Sequence, residues 1–172
     1  TKRKIKDSVF TSLFSVPEFA LELYQTLHPD DQDVSVDEIE IVTLENILSN
    51  NFYNDLGLLV KDELLIFVEA QTTWSINIFP RILLYAARTL KEYIYEHELY
   101  LHSAEALKLP HLKFYVVYTG KPVREIRDKP KNLSLKRDYY HGDKGDLEIQ
   151  LNIVYNTNQG TILDQYCRFA EI

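Results

Sequence analysis

No methionine occurs among the 172 residues, cysteine occurs once (Cys167), and glycine and proline are scarce at 5 and 6. A lone cysteine closes no internal disulfide, so a reducing, cytoplasmic setting is the expectation. So few Gly and Pro residues exclude a low-complexity or disordered chain. Without even an initiator methionine, the chain reads as trimmed, above all at its C-terminus. Long apolar runs are missing as well. Leu56 to Val60 is interrupted by Gly57, and Leu64 to Val68 stops at Glu69, far short of the ~20 residues a membrane helix needs. No basic-plus-apolar leader opens the sequence, and no membrane partner is expected.

Most chemical motifs are absent too. Gly120-Lys121 lacks the upstream glycine of a phosphate loop, and neither G-x-G-x-x-G nor G-x-S-x-G occurs. His97 and His102 are off the i,i+4 spacing of two ligands on one helix face, and Cys167 has no cysteine partner for zinc. His141-Gly142-Asp143 with Asp146 reads as a calcium loop or as a polar surface loop.

What remains is ordinary globular composition, 45% hydrophobic and 26% charged, in a length that fits one domain over residues 1–172. The net charge of -7 argues against a protein that coats DNA by charge alone. Its distribution is uneven. Residues 1–6 carry Lys2, Arg3, Lys4 and Lys6, and residues 121–137 carry seven basic residues against Glu125 and Asp128. These two basic patches read as phosphate-backbone contacts or as a solvated loop and a frayed terminus.

Apolar periodicity predicts a helix over residues 7–27, with a break near Pro17, and a strand over 39–44. Residues 55–60 and 64–71 predict a β-hairpin around Lys61-Asp62-Glu63, apolar on both faces and central in its sheet. A long helix is predicted over 75–96, with Ile76, Phe79, Leu83, Ala87, Leu90 and Ile94 as its apolar stripe and Pro80 in its first turns. A buried strand over 113–119, a loop-like stretch over 120–146, an alternating strand over 146–155 and a helix from about 161 complete a mixed α/β sheet flanked by helices.

If the hairpin turn centres on Asp62, Val60 faces Leu64 and Asp55 faces Glu69. Directly opposed side chains have Cβ atoms about 4.5–5.5 Å apart. Two carboxylates at that separation, among Leu, Phe, Val and Ala, need a positive charge between them, and hard oxygen ligands suit Mg²⁺ or Mn²⁺. A register shifted by one residue would separate the pair.

Asp55, a β-turn and Glu69-x-Gln71 after a buried strand together resemble the D…(D/E)xK core of the PD-(D/E)XK nuclease superfamily. Tyr53-Asn-Asp-Leu-Gly57, Val68-Glu-Ala-Gln-Thr-Thr-Trp74-Ser-Ile-Asn77 and Arg81-Ile-Leu-Leu-Tyr85 are more specific. They resemble its bacterial recombination-promoting nuclease, transposase-like branch, the Rpn-like group. Lys6-Asp7-x-x-Phe10 and Pro17-Glu18 resemble that group's opening helix, with Thr11 where a lysine is common.

The resemblance implies a restriction-endonuclease-like α-β-β-β-α-β core that binds Mg²⁺ or Mn²⁺ and hydrolyses DNA phosphodiesters, in proteins tied to recombination or mobile elements. Asp55 and Glu69 fall on the metal-ligand positions, the Ala70 carbonyl is a further ligand, and Asp7 is either a third carboxylate or a helix cap. Gln71 takes the lysine position. It can orient water by hydrogen bonding but brings no charge to the transition state. Arg81, Tyr85 and Arg88 recur at i, i+4 and i+7, giving Arg81 to the scissile phosphate with Tyr85 in support, or ion pairs with Glu92 or another acid. Lys129, Lys131, Lys136, Arg137 and Arg88 are the candidate DNA contacts. Trp74 either stacks on a base or packs beneath the helix start. A homodimer suits an enzyme that cuts two strands. The alternative is a nuclease-fold domain that no longer cuts and binds DNA or a partner chain.

Overall fold

The structure, a computed structural model, describes residues 9–44, 55–70, 74–120, 126–142 and 145–170, with positions 43, 69 and 70 described by their backbone alone. Residues 9–14 are helical, and the chain turns at 15–16 before α1 (Pro17–Leu27). Proline explains the break: it has no N–H to donate but fits the first turn of a new helix. The strands are β1 (Ile39–Thr43), β2 (Leu56–Val60), β3 (Glu63–Ala70), β4 (His111–Tyr118), β5 (Asn132–Ser134) and β6 (Gln150–Val154). Helix α2 (Ile78–Glu96) connects β3 to β4, and α3 (Ile162–Ala170) follows β6.

Six strands form one open mixed sheet in the order β1-β2-β3-β4-β6-β5. β1, β2 and β3 form an antiparallel meander; β4 lies parallel to β3 and to β6, and β5 closes the far edge antiparallel to β6. The chain therefore runs helix, three strands, crossover helix, parallel strand, as the sequence pattern predicts. β3 reads as a continuous apolar run because it is covered on both sides. Leu65 and Phe67 pack with Phe10, Phe14, Leu23 and Tyr166 on one face. Leu64, Ile66 and Val68 pack with Phe79, Ile82 and Ala86 on the other.

Three expectations need correction. The hairpin loop has two residues, not three: Val60 pairs with Glu63 and Leu56 with Phe67, with Lys61 in the left-handed region at φ 54°. Two-residue loops match the twist of the strands they join. Glu63 is tolerated inside the strand because His28 Nε2 and Lys113 Nζ each approach its carboxylate at 3.5 Å. Next, the buried stripe of α2 runs through Phe79, Ile82, Ala86 and Thr89, whereas Leu83 and Ala87 are exposed. Both choices have helical spacing, so periodicity alone does not select between them. Finally, residues 120–146 are not all loop, since they supply β5 and a π-helical turn at Leu135–Tyr139. One glycine sits in a tight approach: a Cβ on Gly57 would come 3.1 Å from both Val42 Cβ and the Val42 carbonyl oxygen, so β1 would have to give by a few tenths of an ångström.

Candidate functional site

The start of β2 and the ends of β3 and β4 lie at one end of the sheet, because β2 is antiparallel and β4 parallel to β3. Open α/β sheets offer clefts for ligands at the carboxyl ends of such strands. Asp55 immediately precedes β2 there and is buried. Arg81, in the first turns of α2, donates from Nη2 to both oxygens of the Asp55 carboxylate, at 2.8 and 2.6 Å. The Asp55 side chain is only 2% exposed, while Arg81 keeps 30%.

Tyr85, one turn further along α2, completes the group. Its ring lies 5.7 Å from the Arg81 guanidinium carbon, a cation–π contact. Burial first, then the charge and hydrogen bonding of Asp55, push the Tyr85 hydroxyl up to about 12, against a smaller opposing effect of Arg81. For Arg81, burial works against the cation, but Asp55 and the hydrogen bond with Tyr85 more than offset it and raise its pKa. The three residues form one polar cluster on the apolar underside of α2. An uncompensated carboxylate there would carry a large desolvation penalty.

The two-residue loop changes the relation of Asp55 to Glu69. Extending the observed register past Leu56 sets position 55 across from Val68, so Asp55 is not the direct cross-strand partner of Glu69. The backbone of Glu69 is paired beside Val117, and that of Ala70 beside Tyr118. The expected face-to-face pair of acids gives way to an acid–arginine pair, and the positive charge that Asp55 requires comes from Arg81. The Glu69 side chain, Gln71 and Asp7 lie outside the described residues. Among the described residues, no group of three or more His, Cys, Asp or Glu side chains is placed to hold a metal ion.

The remaining candidates are dispersed. Arg88 lies two turns beyond Arg81 and bonds Glu92 at 2.9 Å, the ion-pairing alternative for that residue. Trp74 is buried with its ring edge-on to Tyr118 at 5.9 Å, in line with the packing alternative. Lys129 sits over the Tyr155 ring at 5.9 Å, and Lys131 lends its carbonyl to the Ile153 N–H. Lys136 and Arg137 lie on the π-helical turn. Arg137 is engaged by its neighbour Asp138, with Nη2 to Oδ2 at 2.8 Å. Sequence spacing does not expose that pairing, nor that of Arg81 with Asp55, 26 residues away.

Among the described side chains, the donor set at the Asp55 end of the sheet is one carboxylate whose charge Arg81 already meets. The carboxylate is a hard oxygen donor, it is buried, and its two oxygens already hold a cationic nitrogen between them. No helix of the described residues is long and apolar enough to cross a membrane. Compared with known proteins, the chain matches no family model, no curated protein and no solved structure.

Proposed function

We propose that the protein is a PD-(D/E)XK-type nuclease of the recombination-promoting, transposase-like branch, hydrolysing DNA phosphodiesters with Mg²⁺ or Mn²⁺. The observation that carries this reading is Asp55: a buried carboxylate at the start of β2, beside the ends of β3 and β4, bonded to Arg81 of the crossover helix. The order helix, three antiparallel strands, crossover helix and parallel strand supports a restriction-endonuclease-like core. The Asp55…Glu69-x-Gln71 spacing supports the family reading.

In this reading Asp55, Glu69 and the Ala70 carbonyl share the metal from the end of the sheet without Asp55 and Glu69 being opposed cross-strand partners, with Asp7 as a further candidate. The bound cation supplies a Lewis acid for the phosphoryl oxygens and for activation of water. Gln71 orients that water by hydrogen bonding, and Arg81 with Tyr85 provides the positive, hydroxyl-bearing flank for the phosphate. Lys129, Lys131 and Lys136 hold the DNA backbone. The site serves a cytoplasmic protein acting on DNA, and a homodimer would cut both strands.

A second reading has its own observation. Gln71 brings no charge, Arg81 is committed to Asp55, and Arg137 and Arg88 are committed to Asp138 and Glu92. Those features favour a nuclease-fold domain that binds DNA or a partner chain without cutting. Nicking of supercoiled plasmid with Mg²⁺ or Mn²⁺ separates the two. Metal-dependent nicking by wild type, lost in Glu69→Ala, is the enzyme's result; DNA binding without nicking in either metal is the binding module's.

A further inference from the structure

Between the last turns of α2 and the β1–β2–β3 margin of the sheet lies a cavity of about 230 Å³. Its far end is about 20 Å along the helix from Arg81, so it is separate from the Asp55 cluster. Val42, Leu59 and Leu64 give it an apolar floor. Thr89 opens into it from the helix. That residue is only 6% exposed, and its hydroxyl has no hydrogen-bond partner among the described residues. A buried hydroxyl left unmet is costly, so the cavity favours an occupant that bonds to it.

The mouth is acidic. Glu40 of β1 and Glu92 and Glu96 of α2 line it, and no lysine or arginine shares the wall. Glu92 is held by Arg88. Glu40 and Glu96 are exposed and have no ion pair among the described residues. The two glutamates of α2 stand near the C-terminus of a 19-residue helix whose last turn has no basic residue. The negative end of the helix macrodipole there adds to their charge.

Such a wall favours a cation, and its layout selects the kind. Among the described residues no three acidic, histidine or cysteine side chains converge to hold a metal ion. Thr89, Glu92 and Glu96 instead follow one another at i, i+3 and i+7 on one helix face, with neighbouring Cβ atoms about 5–6 Å apart. Polar groups strung out above an apolar floor match methylenes with a nitrogen at each end. The volume equals the liquid share of about seven or eight waters, which suits a short chain. We propose that this cavity binds a linear aliphatic diamine or polyamine in its ammonium form. The methylenes lie on Leu59 and Leu64. One ammonium donates to Thr89 Oγ1 beside Glu92, and the other is met by Glu40 and Glu96. A lysine side chain of another protein brings a single ammonium and leaves one end of the wall unanswered. The inference stands apart from the nuclease reading.

The test is calorimetric titration of 1,4-diaminobutane, at physiological ionic strength, into wild type, Thr89→Val and the double variant Glu40→Gln with Glu96→Gln. Wild type should bind it saturably, the double variant about tenfold more weakly and Thr89→Val several-fold more weakly. Lysine amide acetylated at its α-nitrogen should bind more weakly than the diamine, and the same charge of Mg²⁺ should not displace the diamine. No binding by wild type, or unchanged binding by the double variant, overturns the site. The lysine derivative binding as tightly overturns the two-ended ligand. Displacement by Mg²⁺ reduces the effect to general attraction by an acidic surface and overturns it as well. Should Thr89→Val fail to fold, amide shifts in wild type decide instead. Changes centred on residues 40–42 and 89–97 are expected as the diamine is added, and changes scattered over the surface overturn the proposal.

Discussion

At Asp55 a charge is kept inside the protein only because another residue meets it. The carboxylate is nearly inaccessible and Arg81 binds both its oxygens. Removing the charge while keeping the shape, in Asp55→Asn, leaves Arg81 without its counter-ion. For fully enclosed pairs such a change costs about 3–5 kcal/mol; because Arg81 is still 30% exposed and can turn outward, about 2 kcal/mol is expected here. Urea denaturation of the two proteins measures it, and an unchanged midpoint would mean that desolvation already cancels the pair. That Asp55 would need a positive charge beside it was legible in the sequence, from an acid set before an apolar run. Its partner was not. Arg81 lies 26 residues away, and only the crossover of α2 onto the sheet brings it to Asp55.

Elements were legible where one pattern had one solution. The alternation before and through β6 places Ile149, Leu151 and Ile153 in the core as expected, and the break at Pro17 follows from proline chemistry. They were misread where two solutions differ by one residue. The stripe of α2 and the register of the β2–β3 hairpin both slipped by one, and in a strand such a slip transfers every side chain to the other face. Helix α3 shows what a terminal element depends on. Asp164 is 1% exposed and accepts from the N–H groups of Gln159 and Thr161 and from the Thr157 hydroxyl, while its own N–H donates to Thr161 Oγ1. Burial alone would raise its pKa, but the bonds from Thr157 and Thr161 prevail and hold it at about 2. A depressed carboxylate stabilises the fold above its unfolded pKa and stops doing so as pH falls through the folded value. The contribution of Asp164, about 2 kcal/mol, should therefore be present at pH 7 and lost between roughly pH 4 and pH 2. Asp164→Asn should lower stability by at least that amount at neutral pH and flatten the acid limb of a stability-versus-pH curve. An equally steep limb in the variant would assign acid unfolding to other carboxylates.

Across the whole molecule, charge is arranged locally, which the net value of -7 conceals. The sequence shows where basic residues cluster but not which of them are already engaged by acids. Arg137 is paired with Asp138 on the surface, so the two side chains together add no net charge to the segment. Neutralising Lys129, Lys131 and Lys136 together should weaken DNA binding and lower the salt slope by about 0.9 for each phosphate left without a cation, with Arg137→Gln alone changing it little. Fluorescence anisotropy at several salt concentrations checks this, and a slope untouched by the three substitutions would return the segment to a solvated surface. Apart from β5 and the π-helical turn, the order of helices and strands was readable because period two and period 3.6 alternate along the chain. The assembly of the site was not, because it depends on contacts between distant elements. The proposed function requires a metal at this end of the sheet, and the most direct measurement is the anomalous-difference map of a crystal soaked in Mn²⁺. The predicted result is a peak at the sheet end, within bonding distance of an Asp55 carboxylate oxygen, with Arg81 turned away from it. A fully soaked crystal with no peak at Asp55, and Arg81 still bridging both oxygens, would contradict it.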